Sequence, residues 1–273
     1  MKKNITLSLI LFITSVIMAQ GDLLINPLRV VFEGQKQNAD LSLTNIGKDT
    51  AVYVISFLSY KMLQDGSFVQ LEKPDTSNCA DKFLRLFPRK VILSPKESQT
   101  IRLQLRKPSG LKEGEYRSHI YFRAEKEKTP LGMKDLQIDS TKMAISITPI
   151  FGISIPVIVR NGTVSNTLSL SDVSLENVND TISKLKVSIN REGNKSAYGN
   201  MRIEYHTSKG KNSDVGFANG IGVYTEIPKR DFALYIKNTE SMKIDGGKLI
   251  IRYMAPNEDG GKELCRSEFI LKK

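Results

Sequence analysis

VILSPKESQTIRLQLRK, residues 91–107, is two apolar-alternating runs joined at Pro95-Lys96-Glu97. After the turn, Ile101, Leu103 and Leu105 alternate with Thr100, Arg102, Gln104 and Arg106. A period of two sends alternate side chains to opposite faces of an extended chain, whereas a helix would need a period near 3.6. The stretch therefore specifies a half-buried strand entered from a proline-set turn.

The same period extends in both directions. In ADLSLTN (39–45), Ala39, Leu41 and Leu43 share a face. AVYVISFLSY (51–60) is apolar on both faces, as a central strand is. Asp65-Gly66 marks a turn. GEYRSHIYFRA (114–124) places Tyr116, Ser118, Ile120 and Phe122 on one face, and Arg117, His119, Tyr121 and Arg123 on the other, where His119 reads as a surface histidine. Beyond Asn161-Gly162, strands resume in SKLKVSIN, GNMRIEYHT, DFALYIKN, GKLIIRYMA and LCRSEFILKK. Turn signals separate them at the spacing of a β-sandwich, and no helical period intervenes. The prediction is an all-β chain of two domains, 21–160 and 161–273.

Residues 1–20 read as a cleaved export leader. Lys2 and Lys3 precede an apolar run, and Ala19 offers a small residue at the cleavage point. The remainder, roughly 250 residues, suffices for two cores. The net charge is +11, or +9 without Lys2 and Lys3, and its basic residues are interleaved through the strands rather than clustered. That distribution, with export, argues against a nucleic-acid role.

Candidate chemistry is sparse. Cys79 and Cys265 fall in different predicted domains and make no disulfide framework. Cys265 alternates with Phe269 and Leu271, which marks a small core residue. His119 and His206 both sit on the polar side of a strand pattern. No metal-ligand spacing and no nucleophile elbow occur, so no catalytic residue, metal or cofactor is predicted and the chain does not read as an enzyme. EDGGKE (258–263) reads as a hairpin turn rather than a calcium loop.

Two features remain unexplained by a plain sandwich. Residues 143–159 form an amphipathic run far longer than an ordinary strand: Met143, Ile145, Ile147, Phe151, Ile153, Ile155, Val157 and Val159 share one parity. Pro149 and Pro156 within it cannot donate ladder hydrogen bonds, which marks a sheet edge. A long polar stretch, Glu125–Lys142, leads into it. An open edge with alternate apolar side chains is what β-augmentation of a second protein requires. The other feature is Arg29, set among Leu28, Val30, Val31 and Phe32, where a charge is costly.

Four stretches, LRVVFEGQKQNADLSLTNIGKDTAVYV, FPRKVILSPKESQTIRL, GEYRSHIYFRA and GISIPVIVR, together resemble the PapD-like periplasmic chaperones of the chaperone–usher pathway over about residues 25–160. The form ISIPVIVR is nearer the archaic branch; nothing in the second domain is diagnostic. The resemblance implies two immunoglobulin-like β-sandwich domains in an L-shape, a periplasmic location and no enzymatic activity. The implied partners are pilus or fimbrial subunits lacking a strand, delivered to an outer-membrane usher. The chaperone itself would be a monomer or a self-capped dimer.

Under the resemblance, Met143, Ile145, Ile147 and Phe151 are the donor-strand residues that fill the subunit's groove. Arg29 is the residue that binds the subunit's C-terminal carboxylate, which a guanidinium can do with two parallel hydrogen bonds. The family's second anchor, a lysine, has no counterpart at Gly152, Ser154 or Pro156; Arg160 and Arg89 are the substitutes within reach in sequence. The competing reading is an exported two-domain adhesin or binding module that keeps its strand to itself.

Overall fold

The computed structural model describes residues 23–72, 78–125, 151–239, 242 and 246–271. Two β-sandwiches and one docked hairpin account for the strands. In the first sandwich, one sheet has the order β1 (Leu23–Asn26), β3 (Asn38–Asn45), β9 (Ser98–Leu105), β7 (Leu84–Phe87). Its partner has the order β2 (Val30–Phe32), β11 (Gly152–Asn161), β10 (Gly114–Glu125), β4 (Ala51–Leu58), β8 (Lys90–Leu93). Leu41, Leu43, Ile101 and Leu103, one parity of their strands, meet Ile55, Ile120, Phe122 and Val157 across the core. Each such side chain, fully buried, contributes about 1.5–3 kcal/mol.

Local polar bonds fix the corners. Asn45 is wholly buried; its side-chain amide donates to the carbonyls of Asp49 (2.8 Å) and Leu93 (2.9 Å), and its oxygen accepts the Gly47 N–H (2.9 Å). The Tyr116 hydroxyl donates to the Lys112 carbonyl at 2.9 Å, the tyrosine corner of immunoglobulin-like domains. Two residues on, the buried Ser118 hydroxyl accepts the N–H groups of Ala80 and Asp81, both at 3.0 Å. It stitches the 3-10 turn Asp81–Phe83 to β10.

The second sandwich pairs a sheet ordered β12 (Asn166–Asn177), β13 (Ile182–Gly193), β16 (Lys229–Lys237) with one ordered β15 (Asn212–Val223), β14 (Ala197–His206), β17 (Gly247–Met254), β18 (Glu263–Leu271). Leu185, Val187, Ile189, Met201, Ile203, Leu249, Ile251 and Tyr253 form its core. β12 and β15 escape the sequence reading because serine dilutes the alternation in one and glycine in the other. Cys79 and Cys265 are not joined in a disulfide.

The hairpin β5 (Tyr60–Met62) and β6 (Phe68–Gln70) turns at Asp65-Gly66 and reaches from the first sandwich onto the second. Met62 belongs to the second core, the Gln64 side chain donates to Asp231 at 2.9 Å, and Gly66 lies against the Arg230 guanidinium. This contact overturns the surface reading of His119 and buries Arg117 with it. Arg117 and His119 are buried, because the face of β10 that carries them is covered by the hairpin and by Tyr224 of the second sandwich. His119 stands edge-on to Tyr60 and Phe68, with ring centroids 4.9 and 5.8 Å away.

Candidate functional site

β11 has an asymmetric edge. On one side it pairs with β10 along its whole length, from Arg123↔Gly152 to Gly114↔Asn161. On the other, among the described residues, it meets only the three residues of β2, running parallel, at Val157, Ile158 and Val159. That short parallel pairing explains the unbroken apolar run PVIV (156–159). Val157 and Val159 face the first core, and Ile158, with Val31 of β2, packs into the second. From Gly152 to Pro156 no described strand pairs with the β2 side of β11.

Burial along the odd parity of β11 fades toward its start. Ile155 is 2% exposed, Ile153 is partly buried against the core, and Phe151 is 57% exposed. The Phe151 carbonyl still accepts the Ala124 N–H at 2.9 Å, so its backbone stays tied to β10 while its ring leaves the sandwich. Gly152 permits this register, since a Cβ there would meet the Tyr121 ring. Met143, Ile145 and Ile147 lie outside the described residues, as do residues 1–20 and nearly all of the Glu125–Lys142 stretch.

Arg29 lies where the chain leaves one sheet for the other. Asn26-Pro27 is a cis peptide, and β2 begins one residue after Arg29. The side chain is half-buried and stacks 4.5 Å from the Tyr198 ring centroid, a residue of the second sandwich. Its Nε is buried without a hydrogen-bond partner. It lines a cleft of about 340 Å³ together with Glu33, Arg160, Lys195, Tyr198 and Leu264.

Arg160, the sequence's substitute for a second cation, lines the same cleft but is already engaged. Its side chain is 10% exposed; one N–H donates to Glu33 at 2.7 Å and another to Glu115 at 3.1 Å. Glu115 also accepts the Ser196 N–H from the second sandwich at 3.2 Å. Burial pushes the Glu33 carboxyl up, but Arg160, Lys195 and Arg29 together outweigh it and hold it below its ordinary value. Arg89 is exposed beside β8, at the opposite edge of the sheet from β2.

Lys195 was not legible as part of this site, because it stands in the turn between β13 and β14, far along the chain from Arg29. Its position is well fixed. The buried Arg191 guanidinium donates to the carbonyls of Gly193 (2.7 Å) and Lys195 (3.3 Å), and the Asn166 amide to those of Lys195 (3.3 Å) and Ser196 (3.0 Å). Gly193 takes φ +98, and a Cβ there would strike the Ser165 carbonyl. Among the described residues, no group of three or more His, Cys, Asp or Glu side chains is placed to hold a metal.

No protein-family model matches the chain, and no curated protein matches it. Solved structures do. The CsuC–CsuE chaperone–tip adhesion subunit pre-assembly complex, from archaic chaperone-usher Csu pili of Acinetobacter baumannii, is similar at 16% identity and a TM-score of 0.46, over 91% of this chain and 98% of that one. A chaperone–tip adhesin complex of CFA/I fimbriae biogenesis is similar at 15% identity and a TM-score of 0.45, over 92% and 98%. The Salmonella enterica SafA pilin–SafB chaperone complex is similar at 11% identity and a TM-score of 0.42, over 92% and 97%. At these identities the likeness is one of fold.

Proposed function

We propose that the protein is a periplasmic chaperone that holds secreted β-sandwich subunits of surface fibres. It lends the chain around β11 as an extra strand and receives the subunit's C-terminal carboxylate at Arg29. In this reading 21–160 is the strand-donating domain, 161–273 the second sandwich, and 1–20 the export leader. The role is one of binding and calls for no bond-making residue.

The carrying observation is the run-off of β11. Its backbone edge from Gly152 to Pro156 lacks a described partner on the β2 side, and its apolar parity leaves the core between Ile153 and the exposed Phe151. Met143, Ile145 and Ile147 continue that parity in sequence. A solvated apolar edge is an aggregation hazard unless a partner covers it, and β-strand addition covers backbone and side chains together. Arg29 supports the reading independently: a half-buried guanidinium with an unpartnered Nε is poised for a carboxylate.

The test is gentle affinity purification from the periplasm followed by mass spectrometry, for the parent and for Ile145→Ser/Ile147→Ser. A stoichiometric β-rich secreted partner, lost in the double variant while the variant stays folded, is the expected result. Purification without a partner while neighbouring secreted proteins are expressed, or a partner retained by the double variant, overturns strand donation and leaves the stand-alone binding module.

A further inference from the structure

The two sheets of the second sandwich end in four edge strands, and three of them are blunted or covered. β12 is broken by a bulge between Ser171 and Ser174, where Asp172 takes φ +50. β15 slips register twice against β14 and carries a left-handed Gly220. β16 is met near its start by the hairpin, where the Gln64 carbonyl accepts the Asp231 N–H at 2.8 Å. β18 has none of these devices. It pairs with β17 without interruption from Tyr253↔Cys265 to Gly247↔Leu271 and holds no glycine or proline. Among the described residues no strand lies on its other side. A regular, unprotected edge is a template for a further strand.

Burial shows the same opening. On β17, the core-facing Leu249, Ile251 and Tyr253 are wholly buried. Directly beside them on β18, Cys265, Phe269 and Leu271 pack on the same core yet stay partly exposed. On the outer face of β18, Ile270 is 75% exposed.

We propose that this edge is an interface between two copies of the chain. β18 pairs antiparallel with its counterpart about a two-fold axis at Ser267, and two four-stranded sheets become one of eight.

The strand's own sequence selects that register. With Ser267 on the axis, Arg266 falls opposite the partner's Glu268, and symmetry repeats the pair. Cys265 falls opposite the partner's Phe269, and Ile270 opposite the partner's Leu264. Leu264 is the unpaired residue of the bulge that opens β18 and is 37% exposed. An axis at Arg266 would instead set two arginines against each other, and an axis at Glu268 two glutamates. An axis between residues would set core-facing positions against outer ones. The charges are available for the contact. Arg266 reaches Glu263 only at 4.0 Å, and Glu268 holds Lys248 through one oxygen at 2.8 Å. A carboxylate accepts from a second cation as well. The pairing uses no residue of β11, so it neither requires strand donation nor fails with it.

The test is the oligomeric state of the protein by sedimentation velocity. Cys265–Leu271 is a short strand and a small interface, so association is transient: monomer at about 5 µM and dimer at about 0.5 mM. Arg266→Glu and Glu268→Arg are each expected to weaken dimerisation about tenfold, because each turns two attractive pairs repulsive. The exchange Arg266→Glu/Glu268→Arg is expected to restore it to within about threefold. Both positions are exposed, and circular dichroism reports that each variant is folded. The register is read by oxidising single-cysteine variants in a Cys265→Ser background. Ser267→Cys, which meets itself across the axis, is expected to form a covalent dimer at least about fivefold faster than Arg266→Cys or Glu268→Cys. A monomer throughout that concentration range overturns the inference. So does a dimer that charge reversal leaves intact, that the exchange fails to restore, or that cross-links as fast through position 266 or 268, since it joins through another face or register.

Discussion

The guanidinium carbon of Arg117 lies 3.7 Å from the centroid of the Tyr224 ring, so a cation carried by the first sandwich is stacked on an aromatic of the second. The same guanidinium donates to the Tyr60 carbonyl at 2.8 Å and pairs with Glu226. Phe68 stands beside both, its ring centroid 6.0 Å from that of Tyr224 and 5.7 Å from the guanidinium carbon, so the contact joins β10, the hairpin and the second sandwich in one cluster. This joint adds to the Glu115–Ser196 bond and to Ile158 in the second core, which join the sandwiches nearer the cleft.

Removing Glu226 should therefore cost far more than removing an exposed partner. The Arg117 side chain is 7% exposed, and Glu226→Ala leaves its charge buried with only the stack and one carbonyl. The expected loss is about 2–4 kcal/mol. Arg102→Ala, which breaks an exposed pair with Asp40, is expected to leave stability nearly unchanged. Urea unfolding of both variants makes the comparison; equal effects would mean that the Arg117 cluster is solvated.

Met62 is covalently part of the first sandwich and energetically part of the second. Met62→Ala is expected to destabilise by about 2–4 kcal/mol through the cavity it leaves. The loss should appear as faster amide exchange in β13 and β14 rather than in β3 and β9. Gly66→Ala should act in the same direction, since φ is +83 there and a Cβ would meet the Arg230 guanidinium. Exchange confined to the first sandwich would show that the hairpin does not bind the two together.

His119 gives the joint an acid sensitivity. Burial, and next the Arg117 charge, push its pKa down to about 3, whereas an unfolded histidine titrates near ~6.5. Between those values the unfolded chain holds a proton that the native state does not. Stability is thus complete above the unfolded value and falls as pH drops through it toward 3. From pH 7 to 5 the expected loss is about 2 kcal/mol. His119→Phe, which keeps a ring between Tyr60 and Phe68, should lose less than half of that slope. Denaturant midpoints at the two pH values measure it, and identical slopes in parent and variant would place His119 in contact with water.

Strands whose apolar residues alternate cleanly were legible in the sequence: β3, β4, β9, β13, β14, β16 and β17 each face one core or lie central in a sheet. That part of the run 143–159 lies at a sheet edge was signalled by Pro156, and among the described residues Gly152 to Pro156 has no strand on the β2 side of β11. The burial of Arg117 and His119 was not. A polar face reads as solvent unless something covers it, and the cover comes from a hairpin near residue 65 and a tyrosine at 224. The cleft was half legible for the same reason. Arg29 announces itself by standing in an apolar run, while Lys195, in a polar turn of a polar-rich segment, has no local signal and joins the cleft only through the fold.

Arg29 offers the sharpest separation of function from stability. Among the described residues its Nε is buried without a hydrogen-bond partner, and its guanidinium stacks on the Tyr198 ring and acts on Glu33 only through space. Replacing such a group by an apolar one of similar length removes an unpaired charge and keeps the stem's packing, so Arg29→Met should leave unfolding free energy within about 1 kcal/mol of the parent, or raise it. Client binding should fall by about 1.5–3 kcal/mol, roughly ten- to a hundredfold, as charge-assisted bonds to a carboxylate disappear. Arg29→Lys should recover only part of this, since an ammonium cannot grip both oxygens in a planar fork. Calorimetric titration of a purified subunit against the three proteins, alongside their thermal unfolding, reads both quantities. A residue retained for structure would show the reverse: Arg29→Met lowering stability by several kcal/mol while the folded fraction binds its client unchanged.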